Sequence, residues 1–170
     1  MKKVNRKESI IVDSITEALL QLMSKKDFNN ISICEITEKA GIGRVSFYRN
    51  FDNKEDVLKR HAETITNNFF DTTKLDIFNT NIENYLITLF RHLYNHKNFC
   101  DLLLKNNMLY IIQNEFKRKF SFKANNSEQY LYIYFLEGGI YNIYNYWITN
   151  GYKETPEEIA KLIKKHINKF

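Results

Sequence analysis

Chain breakers are scarce in this sequence. One proline, Pro156, and five glycines stand among 170 residues, too few for the turns of an all-β protein. Between them apolar residues recur every three to four positions, the period of an α-helix and not of a strand. The expected fold class is therefore all-α. Ile11, Ile15, Ala18, Leu19 and Leu22 make one apolar stripe of a first helix over 6–24. A polar loop holds Asp27, Asn29 and Asn30. Ser32 with Glu35 three residues on is a capping-box pattern ahead of a short helix over 33–40. Gly41 ends it, because glycine accepts the left-handed conformation of a C-terminal cap. A third short helix covers 43–50. Asp52 or Asn53 then caps a longer one over 54–70, with Glu55 and Asp56 in its electropositive first turn.

Beyond that point the pattern is coarser. Residues 71–81 are polar and read as a linker. Helices follow at 82–95, 97–105 and 108–120. After a polar break at 123–127 a long helix runs over 128–149, where Asn150-Gly151 stops it. Thr155-Pro156-Glu157-Glu158 opens the last helix, to about 167, with a cap, a first-turn proline and two acids in order. The count is about nine helices in two units, residues 1–60 and 61–170.

Composition narrows the function. Hydrophobic residues are 44% and charged residues 26% of the chain, as in soluble globular proteins. No stretch approaches the roughly 20 apolar residues that span a bilayer. The basic opening MKKVNRKESII leads into no long apolar signal core, so a cytoplasmic protein is expected, without a membrane partner. Cys34 and Cys100 fall on different helices and suit reduced thiols. His92 and His96 are four apart on one helix, but no third ligand is evident and His61 and His166 complete no motif. No metal or cofactor is expected. Neither a glycine-rich phosphate loop nor a nucleophile motif is present, so the chain does not read as an enzyme. The net charge is +5, and more than half of the excess lies in residues 1–60. Lys2, Lys3, Arg6 and Lys7 crowd the first seven residues without an acid. Such an excess suits a polyanion partner, although basic tails are also merely solvated.

The segment ISICEITEKAGIGRVSFYRNFDNKEDVL, residues 31–58, carries the clearest functional signal. Two short helices joined by a tight glycine-containing turn make a helix-turn-helix. Ile33, Ile36, Ala40, Ile42, Phe47 and Phe51 can form a small core that fixes their angle. The polar remainder, Arg44, Ser46, Tyr48 and Arg49, suits a recognition helix whose N-terminal residues reach base edges.

This segment resembles the DNA-binding region of the TetR family of bacterial transcription regulators. The resemblance rests on Ile36, Ala40-Gly41, Phe47-Tyr48, Phe51, Lys54 and Leu58 at the family's intervals, and covers about residues 8–60. It implies a three-helix DNA-binding unit joined by a long helix to a helical dimerisation and ligand domain. It also implies roles. Phe47 and Phe51 are core, Tyr48 and Lys54 meet phosphates, and Ser32 with the helix amides behind it meets a third phosphate. Arg44, Val45, Ser46 and Arg49 belong to the recognition helix. Arg44 either pairs with guanine or contacts only phosphate, and Val45 suits a thymine methyl. Cys34 reads as a partly buried thiol or a residue facing the groove.

Residues 128–163 resemble the C-terminal part of smaller family members, through Phe135, Glu137-Gly138-Gly139, Trp147, Gly151 and Pro156-Glu157-Glu158. Their helix is apolar nearly all round, so burial on several sides is expected. Two adjacent glycines cost roughly 1 kcal/mol each relative to alanine in a helix, which close approach of a partner helix offsets. Gly138, Gly139, Ile143, Trp147, Ile159 and Ile163 are thus the expected homodimer face, or else core within one subunit. Phe90, Leu103, Tyr134, Glu137 and Tyr141 are the expected walls for a small apolar or aromatic ligand. Glu137 either contacts such a ligand or pairs with Arg91 or a lysine. Two functions remain. One is a regulator, in this family usually a repressor, that binds a palindromic double-stranded operator as a homodimer and is released by a small molecule. The other is a helix-turn-helix interaction protein without a ligand site, constitutive or controlled by a protein partner.

Overall fold

The structure, a computed structural model of the chain, describes residues 6–73, 78, 80–121 and 124–167. Lys2 and Lys3 of the basic tail, residues 74–77 and 79 of the expected linker, and Lys123 of the polar break lie outside the described residues. Among those described, every regular element is helical. The order is α1 (Arg6–Met23), α2 (Ile33–Ala40), α3 (Arg44–Asn50), α4 (Lys54–Thr73), α5 (Ile82–Asn95), α6 (Lys97–Lys105), α7 (Tyr110–Ser121), α8 (Ser127–Thr149) and α9 (Pro156–Ile167).

Two boundaries depart from the sequence pattern, each for a local reason. The loop after α1 contains a 3₁₀ turn, Phe28–Asn30, anchored by the buried Phe28 ring. Helix α4 runs to Thr73, into the polar stretch expected to be linker. The hydroxyl of Thr73 donates to the Phe69 carbonyl at 2.6 Å, and that of Thr72 to the Asn68 carbonyl. Threonine hydroxyls that bond back four residues find their partner within the helix, so the polar composition of this stretch does not end it.

The buried apolar residues form one continuous cluster, from Ile15 and Leu19 through Phe47, Leu58 and Phe69 to Phe90, Trp147 and Ile163. Helices α1 to α3 form a head and α5 to α9 a body, and α4 serves both. It buries Val57, Leu58 and Ala62 near its start and Ile65 and Phe69 further on. At 20 residues it is about 30 Å long. In the body, α5 lies along α9 and α4 along α7. The α5–α9 pair is tied by Lys164 to Glu83 at 2.6 Å and by Arg91 to Glu157.

Helix α8 is not buried on several sides, as its composition suggested. One stripe, Ile133, Leu136, Tyr144, Trp147 and Ile148, enters the core. The opposite side leaves Leu131, Phe135 and Tyr146 exposed by 70%, 65% and 61%. No helix of the described residues is long and apolar enough to cross a membrane.

Three histidines gather where head meets body. His61 of α4 packs edge-on against Phe99 of α6, ring centres 4.7 Å apart. His92 and His96, at the α5–α6 corner, are 4.9 Å apart, and His92 Nε2 lies 3.0 Å from the Ile65 carbonyl. Burial lowers all three below the ordinary 6.5. The His96 charge adds to the shift of His61 and His92, while Asp13 of α1 opposes it at His61. A histidine lowered on folding takes its proton more readily in the unfolded chain. Stability is therefore full above about pH 6.5 and declines as pH falls below it, by up to about 1.4 kcal/mol per pH unit for each titrating histidine. Urea unfolding between pH 5 and 8 tests this: a steep decline below pH 6.5 is expected, and His61→Gln should flatten part of it.

Candidate nucleic-acid interface

The α2–turn–α3 unit is built by its own short-range chemistry. Ser32 caps α2, its Oγ accepting from the Glu35 amide at 3.2 Å, while the Glu35 carboxylate accepts from the Ser32 N–H at 2.9 Å. Lys26 adds an ion pair to the same carboxylate. The Lys26 ammonium and the Ser32 donors hold Glu35 down at about 2. Gly41 takes the left-handed conformation, φ 67° and ψ 31°, which costs a residue without Cβ little. The Ile42 amide then closes back on the Thr37 carbonyl at 3.0 Å. Extended Gly43 starts α3, its carbonyl accepting from the Ser46 amide at 2.9 Å. Phe47, wholly buried, and Phe51 pin α3 to the head. That leaves Arg44, Val45, Tyr48 and Arg49 exposed and Ser46 half-buried, a polar-edged face with Val45 67% and Tyr48 53% open.

Two concavities of the body bear on the expected ligand and dimer residues. A narrow cavity of about 50 Å³ lies between α5, α7 and α8, with Leu93, Ile112, Phe116 and Ile140 as apolar walls and Gln113, Glu137 and Tyr141 among its rim. Glu137 accepts a hydrogen bond from Gln113 Nε2 at 3.2 Å. The second is an open apolar groove between α8 and α9, lined by Phe135, Gly138, Gly139, Ile143, Tyr146 and Leu162 together with Ile159 and Ile163. A Cβ on Gly138 or Gly139 would meet nothing within 4 Å.

Comparison with known proteins decides the family. Residues 15–60 match the profile of bacterial regulatory proteins of the tetR family. Residues 80–169, more than half of the chain, match that of a transcriptional regulator C-terminal region of the same family. The chain belongs to the TetR family. It carries both the N-terminal region and the C-terminal region of this family of regulatory proteins. An HTH-type transcriptional regulator of Bacillus subtilis (strain 168), YuxN, is 29% identical over 111 residues, taking in 62% of this chain and 37% of that one. IcaR of Staphylococcus epidermidis, the negative transcriptional regulator of the biofilm operon icaADBC, is 29% identical over 59 residues, 35% of this chain and 32% of its own. The chain thus spans about a third of the length of these curated relatives. Among solved structures, the fatty acid degradation regulator FadR from Bacillus halodurans aligns with a TM-score of 0.57 at 18% identity, covering 96% of this chain and 94% of that one. The dihydroxyacetone kinase operon activator DhaS aligns at 0.56 and 21%, covering 94% and 93%. Both have the TetR fold seen here.

Within this TetR-family frame the expected site residues sort unevenly. Arg44, Val45, Tyr48 and Arg49 share one exposed face. Ser32 is exposed, but its hydroxyl donates to Glu35 at 2.9 Å, so the first-turn amides of α2 are what it leaves for an anion. Lys54 points elsewhere than expected: its Nζ donates to the carbonyls of Phe28, Asn29 and Ile31 at 2.6, 3.2 and 2.8 Å and stands over the Phe28 ring. Cys34 is exposed rather than partly buried, its Sγ 3.5 Å from Glu38, whose hydrogen bond and charge raise its pKa.

In the body, Glu137 and Tyr141 share the narrow cavity, but the other expected ligand walls do not join them. Phe90 and Leu103 are wholly buried in the core. Tyr134 is 50% exposed under the Lys117 ammonium. Among the described residues Glu137 is hydrogen-bonded to Gln113, while Arg91 is bound to Glu157 instead. Of the expected dimer face, Gly138, Gly139 and Ile143 border the open groove and Ile159 and Ile163 floor it. Trp147 is instead wholly buried inside its own chain, against Phe90 at 5.3 Å, with Nε1 donating to the Glu154 carbonyl at 2.9 Å. No group of three or more His, Cys, Asp or Glu among the described residues is placed to hold a metal ion.

Proposed function

We propose that the protein binds an inverted-repeat operator as a homodimer, represses transcription from it, and is released when a small, mostly apolar molecule occupies the cavity beside Glu137 and Tyr141. The observation that carries this reading is the α8–α9 groove. Two glycines lie open at its centre, and Phe135, Tyr146 and Leu162 are exposed around them. A second copy packed there by two-fold symmetry gives Gly138 and Gly139 the close helix approach that makes their absent side chains useful. Such a dimer presents two α3 helices, so its site has two inverted half-sites, centred about one 10-bp turn or a multiple apart. Repression agrees with what IcaR is named for. Release requires only that the ligand bind one arrangement of head and body more tightly than the other.

Selection of duplexes from a random library by the full chain, followed by sedimentation of the complex, tests the reading. Two chains on one inverted repeat are expected, and a monomer bound tightly to a single asymmetric half-site would overturn it. Within the selected site, Arg44→Ala is expected to cost about 1–3 kcal/mol and to relax preference at one base pair per half-site. An unchanged preference across single-base variants would assign Arg44 to the phosphates instead.

A further inference from the structure

Among the described residues, one hydrogen bond joins body to head away from the α4 helix. At the α6–α7 corner, Asn106 is the C-terminal cap of α6 and is followed by Asn107 in the left-handed conformation, φ 57°. The Asn106 Oδ1 accepts from the Phe28 backbone N–H at 2.8 Å, across 78 positions of sequence. Its Nδ2 donates to the Leu102 carbonyl at 2.8 Å, which fixes the orientation of the amide. Phe28 opens the 3₁₀ turn whose carbonyls hold Lys54. Ile31, the last of those acceptors, directly precedes Ser32, the N-cap of α2. The body therefore grips the head at the root of α2, beside the N-cap that starts the helix.

We propose that Asn106 is a positioning residue for DNA binding, fixing the Phe28–Ser32 corner and through it the start of α2. This rests on the DNA-binding reading of the head. It adds a second mechanical connection to α4, one through which a shift of the α6–α7 corner reaches the α2 N-terminus. The bond is part-buried, so cutting the side chain back leaves the Phe28 N–H to water alone or to no partner, and the corner loosens.

The test uses the full chain, a duplex selected by the wild-type protein from a random library, and two variants. Asn106→Ala removes both hydrogen bonds. Asn106→Asp keeps an oxygen acceptor for Phe28 but, like alanine, has no donor for Leu102. A role confined to capping α6 gives the aspartate variant no advantage over alanine, since its charge also opposes the negative end of the helix; the positioning role makes aspartate the better binder. Asn106→Ala is expected to bind the selected duplex about tenfold more weakly, the factor that corresponds to 1.4 kcal/mol, with faster hydrogen exchange of the Phe28 amide. Asn106→Asp is expected to restore both affinity and protection. An aspartate variant that binds no better than the alanine variant, whether both are weak or both like wild type, overturns the proposal. A wild-type protein that selects no duplex overturns the reading of the head instead.

Discussion

Phe135→Glu combined with Leu162→Glu is expected to leave the chain folded yet monomeric, and unable to hold an inverted repeat. Both side chains are exposed in the single chain, by 65% and 47%, and neither belongs to its buried core, so replacing them disturbs that core little. In a two-fold dimer each contributes twice. Fully burying one such side chain gives about 1.5–3 kcal/mol, and with about half of each left to bury, four of them contribute roughly 3–6 kcal/mol, before counting the new charges that would be buried without partners. Loss on that scale raises the dimer dissociation constant by about 10²-fold or more. Sedimentation at micromolar concentration measures it directly, and thermal melting extrapolated to low concentration checks that the fold survives. A variant that stays dimeric at these concentrations places the dimer face elsewhere.

Lys54→Met is expected to act on the fold and not on the counterions. The family resemblance assigns this lysine to a phosphate, and its loss would then lower the salt slope of DNA binding by roughly 1. The structure engages its ammonium with three carbonyls in and just after the 3₁₀ turn, and burial lowers its pKa. Hydrogen bonds to a charged group contribute about 1.5–3 kcal/mol. The methionine variant should therefore lose about 2–3 kcal/mol of unfolding free energy in urea, while the salt slope for a non-specific duplex stays within error of wild type. A slope lowered by about 1 with unchanged stability would return Lys54 to the DNA.

What the sequence made legible follows from the range of the interactions. Ser32 with Glu35, Gly41, and Pro156 after Thr155 are signals that act within one turn, and the helices they delimit lie where the pattern puts them. The exposed face of α3 was legible for the same reason, since Phe47 and Phe51 must turn inward together. Lys54 was not. Its acceptors are backbone carbonyls 23 to 26 positions away, and a carbonyl is present at every residue, so nothing in the sequence marks them. Asn106 was hidden likewise, because its partner is an amide N–H in another part of the chain. Helix α8 shows a different limit. Periodicity finds apolar stripes, but both stripes of this helix are apolar, and only packing tells which meets its own core. Trp147 thus fell to the inner side and Phe135 to the outer. The cavity residues divide in the same manner, Tyr141 lining it and Tyr134 standing outside.

The burial of Trp147 has a spectroscopic consequence. It is the chain's one tryptophan, so all of the red-edge-excited emission of the molecule arises from a single indole in the body. That indole is shielded from water, its N–H is committed to the Glu154 carbonyl, and its ring centre lies 6.3 Å from that of Tyr144, a wall of the narrow cavity. A molecule entering the cavity alters the surroundings of Tyr144 and hence of the fluorophore, while DNA approaching α3 finds no indole to quench. The unlabelled protein is in this way its own optical assay, with an emission change that separates events in the body from events at the operator.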